Sequence, residues 1–534
     1  MVGATIMEVP QVVETPINID RLELFLQDYD PILKFQLVHG LRYGFDVGHR
    51  GILLNNLDVG NMTSCFENPE VVNEHLQSEI EAGRIAGPFD EPPFQNFQIN
   101  RIGLVKKKEK NKFRMIYDLS HPKKDSINSN IADIFSEVSY SSLEDALQLI
   151  AMCGPSVNLT KADIKSAFRL IPVRPDQHNL FYLQWEGNFY YDKMMAMGCR
   201  SSCQLFERFS CALHHIAQRN IEYLIHYLDD YLFINASESA CNNDLLHFKA
   251  LCEFLGVPLA LEKTVEPTTV LTFLGFEIDT VTCEVRLPKD KLDECRRLVR
   301  EFLNRRSCTL KELQSLLGLL SHCCTVIIPG RAFLRRLYNL TIGMEKSYHY
   351  VTLNRETKMD LEIWLQFLEN YNGVTLFKEE MFMNNITRHI FTDASQSLGF
   401  GAVFEDSWFS APWPSSWWSE QNITFLELVP IVLALEVWGH GLQNTCIVFH
   451  TDNMPLAHAI NKQNSKEYLV MRFIRRLVLG ALLKNILIRA EHVAGVSNTL
   501  ADHLSRLQVG RFRELHPSAD LFPAVIPFLP QYLD

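Results

Sequence analysis

Residues 226–233, HYLDDYLF, place the hardest constraint on the fold: two adjacent carboxylates, Asp229 and Asp230, sit inside an apolar run. Bare charges in such surroundings are expensive to bury, so they call for a surface turn or for bound cations. The apolar stretches on both sides, in IEYLIHYLDDYLFINA, predict a β-hairpin with the carboxylates at its tip. Asp163 ends a second apolar strand, in VNLTKADIKSAF, and adds a third carboxylate in the same kind of setting. Mg²⁺ prefers carboxylate and phosphate oxygens and keeps part of its water, so a few Asp side chains from separate elements suffice to hold it. Phosphoryl transfer from a nucleoside triphosphate uses two such ions about 3.5–4 Å apart, one on the attacking 3′ oxygen and one on the leaving pyrophosphate. A surface turn that happens to carry Asp-Asp is the plain alternative, and the third carboxylate favours metal binding over it.

The 534 residues exceed one ordinary core; roughly three or four domains of about 100–200 residues each are expected. Hydrophobic content of 47%, with 34 Phe, excludes a disordered chain. The 13 Cys form no CxxC pairs of zinc-site type and read as buried thiols of a reducing compartment. No signal peptide and no stretch approaching a membrane span are expected, so the reading is a soluble intracellular protein, in nucleus or cytoplasm, with no membrane partner. The net charge of −12 argues against a surface coated for nucleic acid. Positive charge is instead concentrated in two tracks, Lys106 to Lys124 and Lys289 to Arg336, and phosphate binding is confined to such tracks.

Along the chain, short helical patterns up to residue 60 and an amphipathic helix over 66–84 precede two strands, INRIGLV and FRMIYDLS, around a basic connection. FYLQWEGNFYYDKMMAM predicts a hairpin turning at Glu186-Gly187-Asn188, and SCQLFERFSCALHHIAQ a helix. This order suggests an α+β fold with an antiparallel sheet. Residues 289–375 are helical and basic, and strand signals return from 386 as a second mixed α/β domain. That domain presents Asp393 after strand HIF, Glu427 in an apolar helix, Asp452 after strand CIVFH, and Asp502 in the final helix. Four carboxylates on strand ends and helices again offer oxygen ligands for two metal ions, here to activate water against a phosphodiester. The tail, 508–534, contains prolines and is expected to be loosely ordered.

The first set of motifs resembles the reverse-transcriptase family. LTKADIKSAF is similar to its first catalytic motif and YLDD to its Tyr-x-Asp-Asp motif, while KKKEKNKFRMIYD lines up with the fingers segment. The resemblance, over residues 90–285, implies that Asp163, Asp229 and Asp230 bind Mg²⁺ (two ions per site, or Mn²⁺), and that Lys107 and Arg114 grip the incoming triphosphate. It further implies that Phe168 excludes the 2′-OH, that Gly198 lies at the nucleotide pocket, and that Gly256, Lys263 and FLGFEI belong to later palm motifs. Retroviral enzymes have Gln where this chain has Met197. The second set, TDAS, the helix Glu, TDN and AEHVAGVSNTLADHLSR over 387–507, resembles ribonuclease H. On that match Asp393, Glu427, Asp452 and Asp502 are its metal ligands and His492 assists proton transfer or product release, with Asn498 in the same loop.

The implied fold class is α+β multidomain: a right-hand polymerase followed by a ribonuclease H-like α/β domain. The expected boundaries are a helical leader at 1–88, fingers and palm at 89–285, a helical thumb and connection at 286–385, the nuclease at 386–507 and the tail at 508–534. TPINIDRLELFL, GPFDEPPFQNFQINRIGLV, MGCRSSCQLFE and IIPGRAFLRRL resemble the DIRS/Ngaro retrotransposons, which use a tyrosine recombinase; a long-terminal-repeat or pararetroviral enzyme is the alternative relative. The implied activity is RNA- and DNA-templated DNA synthesis with hydrolysis of RNA in RNA–DNA hybrids. Its partners would be an RNA template, a DNA primer, the hybrid, dNTPs, a tyrosine recombinase and a nucleocapsid-like protein. A domesticated non-catalytic binding protein would have eroded carboxylates, yet all seven are present. An RNA-templated RNA polymerase is disfavoured by Phe168 and by the attached nuclease.

Overall fold

The computed structural model describes residues 11–53, 55, 59–106, 113–370, 375–376, 387–415, 422–443, 445–482, 484 and 486–527. It has the α+β, multidomain class expected, and divides into two compact units, Met1–Leu274 with Thr280–Thr282, and Gly275–Asp279 with Cys283–Asp534.

In the first unit the central antiparallel sheet contains β1 (Asn158–Asp163), β2 (Leu224–Tyr227), β3 (Asp230–Asn235) and β4 (Val265–Thr268), in the order β2-β3-β1-β4. Helices α1 (Ser202–Ala217) and α2 (Glu238–Leu255) cover it. The run Tyr231 to Ile234 is wholly buried, which is why it reads as a continuous apolar stretch and not as an alternation. Tyr231 and Phe233 both meet Phe248 of α2, with ring centroids 4.7 and 5.1 Å apart. The basic connection lies between strands Arg101–Lys106 and Phe113–Asp118; Lys107 falls outside the described residues. The hairpin at Tyr182–Trp185 and Asn188–Asp192 has a turn one residue shorter than the expected Glu186-Gly187-Asn188. Asn188 already pairs with Trp185, and Glu186 and Gly187 alone form the turn, both with positive φ, 49° and 84°. Two such residues suit the right-handed strand twist.

Beneath this sheet region a buried ion network joins segments far apart in sequence. Arg169 donates to Glu79 at 2.7 Å and to the fully buried Asp192 at 2.6 Å, Arg84 donates to Glu79 at 2.6 Å, and the Tyr117 hydroxyl donates to Asp192 at 3.2 Å. Burial alone would raise the Glu79 carboxyl, but Arg84 and Arg169 hold it at about 2, below its ordinary 4.5. Because its folded value is depressed, its contribution is present above about 4.5 and is lost as pH falls through about 2. We expect Glu79→Gln to destabilise the protein at neutral pH by roughly 3 kcal/mol and to flatten the acid limb of its stability curve. Urea-unfolding midpoints between pH 7 and pH 2 test this; parallel curves for both proteins would contradict it.

In the second unit, strands Phe276–Asp279 and Glu284–Arg286 precede the helices Lys289–Asn304, Leu310–Cys323 and Arg355–Asn370. The second of these opens on a capping box, in which Thr309 and Glu312 bond each other's backbone N–H. Many arginines of the basic track are paired: Arg300 with Glu369, Arg305 with Glu312, and Arg336 with Asp360. A five-stranded sheet follows, of β5 (Thr387–Ala394), β6 (Gly399–Phe404), β7 (Ser407–Pro412), β8 (Cys446–Thr451) and β9 (Leu487–His492), ordered β7-β6-β5-β8-β9. The β5–β6 and β6–β7 pairs are antiparallel, and β5–β8 and β8–β9 are parallel. Helices α3 (Ile423–Trp438) and α4 (Thr499–Ser505) pack on it.

Two expectations need correction. Ile423–Leu442 is long and apolar enough for a membrane span, contrary to the expectation that no stretch approaches one; 67% of its most apolar window is buried, because β5, β6 and helix Tyr468–Leu482 enclose α3. The tail is not loose as far as Ala524, whose N–H donates to the Trp408 carbonyl at 2.7 Å. Helix Val509–Leu515 buries Phe512 against Trp408, with ring centroids 5.2 Å apart, and Trp408 Nε1 donates to the Asp520 carbonyl at 2.9 Å.

Candidate active sites

Cross-strand register assembles the first carboxylate cluster. Asp163, at the end of β1, stands opposite Asp230, at the start of β3, and Asp229 occupies the β2–β3 turn. That turn is held in an unusual shape. Leu228 has φ 52°, a conformation costly for a side chain of its size. Its carbonyl accepts from Ser210 Oγ of α1 at 2.8 Å, and the Asp229 carbonyl accepts from Ile164 N at 2.9 Å. The surrounding structure thus fixes where the acidic side chains project.

Asp163 is 5% exposed, and burial followed by the charges of Asp229 and Asp230 pushes its carboxyl up to about 6 against the pull of Lys263. Asp229 is raised as well, first by burial. Lys263 Nζ lies 2.8 and 2.9 Å from the two oxygens of Asp163, and Lys161 Nζ lies 3.3 Å from Asp230 Oδ1. Two lysines therefore oppose three carboxylates, leaving a site short of positive charge. Hard oxygen donors on facing strand positions, raised by burial and by one another's charge, suit a divalent cation of the Mg²⁺ type. Lys161 was missed in the sequence, although its i, i+2 spacing to Asp163 puts both on one face of β1. Lys263 joins the carboxylates.

The other expected residues make their contacts elsewhere in the first unit. Phe168 is half-buried at the edge of the core and meets Phe206 edge-on, with ring centroids 5.8 Å apart. Arg114 is exposed on its strand and reaches the Met197 sulfur at 3.5 Å, so the residue that departs from retroviral enzymes adjoins the arginine assigned to the triphosphate. Gly198 has φ 108°, and a Cβ there would lie 2.8 Å from the Tyr117 carbonyl, so only glycine allows this approach to strand Phe113–Asp118. Asn128 holds the segment in place, donating to the Gly198 carbonyl and accepting from Arg200 N, both at 2.9 Å. No motif had drawn attention to Asn128.

In the second unit Asp393 lies on β5, Asp452 follows β8, and Glu427 faces them from α3. An oxygen from each lies within 4.8 Å of the others. They line an open cleft of about 610 Å³ together with Asp502 and Arg506. Glu427 is 3% exposed, and its Oε2 is buried without a hydrogen-bond partner. Burial, and then Asp393 and Asp452, push its carboxyl up to about 9, while burial lifts Asp393 to about 6. A buried oxygen lacking a donor, beside two more carboxylates, is the environment that a divalent ion satisfies. Asp502 stands at the rim, accepting from Arg506 Nε at 2.7 Å. Helix α4 reaches β6 because Gly401 has no side chain: a Cβ there would come 2.3 Å from that of Leu504. His492, the last residue of β9, is exposed and opposite Thr451, outside the cleft lining. Asn498 is buried and donates to the Thr392 carbonyl at 2.9 Å, tying the start of α4 to β5.

Residues 105–278 match the family model described as "Reverse transcriptase (RNA-dependent DNA polymerase)". Transposon Tf2-3 and Tf2-7 polyproteins of Schizosaccharomyces pombe are each 24% identical over 394 residues, covering 67% of this chain. The chain spans 26% of the length of these curated relatives. Among solved structures, the foamy viral protease–reverse transcriptase dRH in complex with double-stranded DNA is 17% identical, with a TM-score of 0.48, covering 91% of this chain and 84% of that one. The foamy viral enzyme in complex with RNA/DNA hybrid is 15% identical, with a TM-score of 0.44, covering 93% and 87%.

Proposed function

We propose that this chain is the reverse transcriptase of a retrotransposon and also a ribonuclease H, copying RNA and DNA templates into DNA and hydrolysing RNA within RNA–DNA hybrids. The observation that carries the reading is the pair of separate carboxylate clusters, Asp163 with Asp229 and Asp230, and Asp393 with Glu427 and Asp452. Mg²⁺ ions held there would supply Lewis-acid activation of the attacking oxygen and charge neutralisation on the leaving one. The protein's own residues do the positioning. Asp163, Asp229 and Asp230 would hold the ions of the first site, Lys263 and Lys161 set its charge balance, and Lys107 and Arg114 would take the triphosphate. Asp393, Glu427, Asp452 and Asp502 would hold the ions of the second site, with His492 handling the proton or the product. The domain boundaries at 88, 285, 385 and 507 belong to the same reading. So do a DIRS/Ngaro-like parent element, a tyrosine recombinase and a nucleocapsid-like protein as partners, and an intracellular place of action.

Primer extension on an RNA template with Mg²⁺ and dNTPs, with the fate of a labelled template strand followed in parallel, tests the proposal. We expect DNA product and shortened RNA; neither product would overturn it. Phe168 supplies a finer test. Its half-buried ring at the core edge suits a wall against the 2′-OH, so Phe168→Val should raise ribonucleotide incorporation about tenfold or more, since removing a steric clash recovers at least 1–2 kcal/mol. Unchanged sugar selectivity would remove that role.

A further inference from the structure

On the side of the β2–β3 hairpin that packs against α1 lies a cluster that neither carboxylate site uses. Glu207 and Cys211 are four residues apart on one face of α1, and His226 projects from β2 toward them. His226 Nε2 is 3.2 Å from Glu207 Oε1, Cys211 Sγ is 3.8 Å from the same oxygen, and Sγ and Nε2 are 4.0 Å apart. Tetrahedral zinc, with bonds of about 2.0–2.1 Å to nitrogen and oxygen and about 2.3 Å to sulfur, spaces its ligand atoms about 3.3–3.6 Å apart. The three atoms thus need shifts of a few tenths of an ångström. Glu207 is 7% exposed, and its second oxygen, Oε2, is buried with no hydrogen-bond partner, an expensive arrangement that a cation would relieve. The other ring nitrogen of His226 is already engaged, lying 2.9 Å from His214 Nδ1, so His214 can accept from it and leave Nε2 as a ligand atom.

We propose that Glu207, Cys211 and His226 form a binding site for one zinc ion, with water as the fourth ligand and His214 as the residue that orients His226. Carboxylate, thiolate and imidazole together suit Zn²⁺ and not Mg²⁺. Burial, and then Glu207, raise the Cys211 thiol to about 11, so binding exchanges one thiol proton for the metal. The ion would join α1 to the hairpin that carries Asp229, where Ser210 Oγ already holds the Leu228 carbonyl and the Tyr231 hydroxyl donates to the Ser210 carbonyl at 3.1 Å. Its role is structural, in clamping that hairpin.

Alkylation of the full-length wild-type chain, read by peptide mass spectrometry, tests the site without any substitution. Zn²⁺ should slow modification of Cys211 by at least about tenfold and leave the half-buried Cys153 unchanged. Replacing zinc by Co²⁺ should give a thiolate-to-cobalt charge-transfer band at one equivalent, lost in Cys211→Ser and His226→Gln and kept in Cys153→Ser. This band ignores ions held by carboxylates alone. Equal alkylation of Cys211 with and without Zn²⁺, no such band in the wild type, or a band that survives Cys211→Ser would overturn the proposal.

Discussion

Asp229→Asn is expected to lower dNTP incorporation by at least about a thousandfold while cleavage of RNA in a hybrid continues, because removing one metal-ligand charge forfeits several kcal/mol of transition-state stabilisation. The substitution is a clean one. Asn keeps the size of the side chain at the β2–β3 turn, and the turn is held by backbone groups, the Asp229 carbonyl to Ile164 N and the Leu228 carbonyl to Ser210 Oγ, which the change does not touch. Burial and Asp230 already make Asp229 reluctant to ionise, so its charge is useful only with a cation present. Lys263 and Lys161 stay against Asp163 and Asp230, and the loss is of one negative charge from a set of three. Extension assays on an RNA template and hybrid-cleavage assays with the same preparation decide the matter. Loss of both activities would mean that the two sites are not independent; loss of neither would end the assignment of Asp229.

What could be read beforehand follows a physical division. The hairpin around Asp229 and Asp230 was legible because its strands are buried on both faces and its turn is acidic, so composition and position agreed. The turn at Glu186-Gly187 was legible to within one residue, since pairing register depends on twist and not on which residue looks most turn-like. The pairing of Arg169 with Glu79 was not legible: it joins residues 90 positions apart, and no periodicity reports a contact of that kind. Lys161 and Arg506 were legible in principle, from the i, i+2 spacing to Asp163 on a strand and the i, i+4 spacing to Asp502 on a helix, and were passed over in favour of the carboxylates they serve. The packed segment after 508 was hidden because its anchors, Trp408 and Asp406, lie in β7 and in the turn before it, more than a hundred residues upstream.

Glu427→Gln should separate activity from stability in the opposite sense to an ordinary buried substitution. Hybrid cleavage is expected to fall by at least about a thousandfold with dNTP incorporation retained, since the cleft loses a carboxylate ligand. In chelator-treated buffer the variant should nevertheless be more stable than the wild type. The Glu427 carboxyl is 3% exposed, and burial, then Asp393 and Asp452, hold it at about 9, far above its ordinary 4.5. A raised folded value contributes fully below about 4.5, and that contribution is lost as pH rises through about 9, so the wild type weakens across this window while the amide, which does not titrate, is spared. The expected advantage of the variant is on the order of 2–3 kcal/mol at pH 7, widening toward alkaline pH. Added Mg²⁺ should reverse the ranking, because the ion binds the folded wild type and stabilises it by mass action, whereas the variant offers a weaker site. Thermal unfolding midpoints of both proteins, at two pH values and with chelator or Mg²⁺, give the four comparisons. A variant less stable than the wild type without metal would mean that Glu427 is held by protein contacts as a structural residue and is not kept in place for an ion.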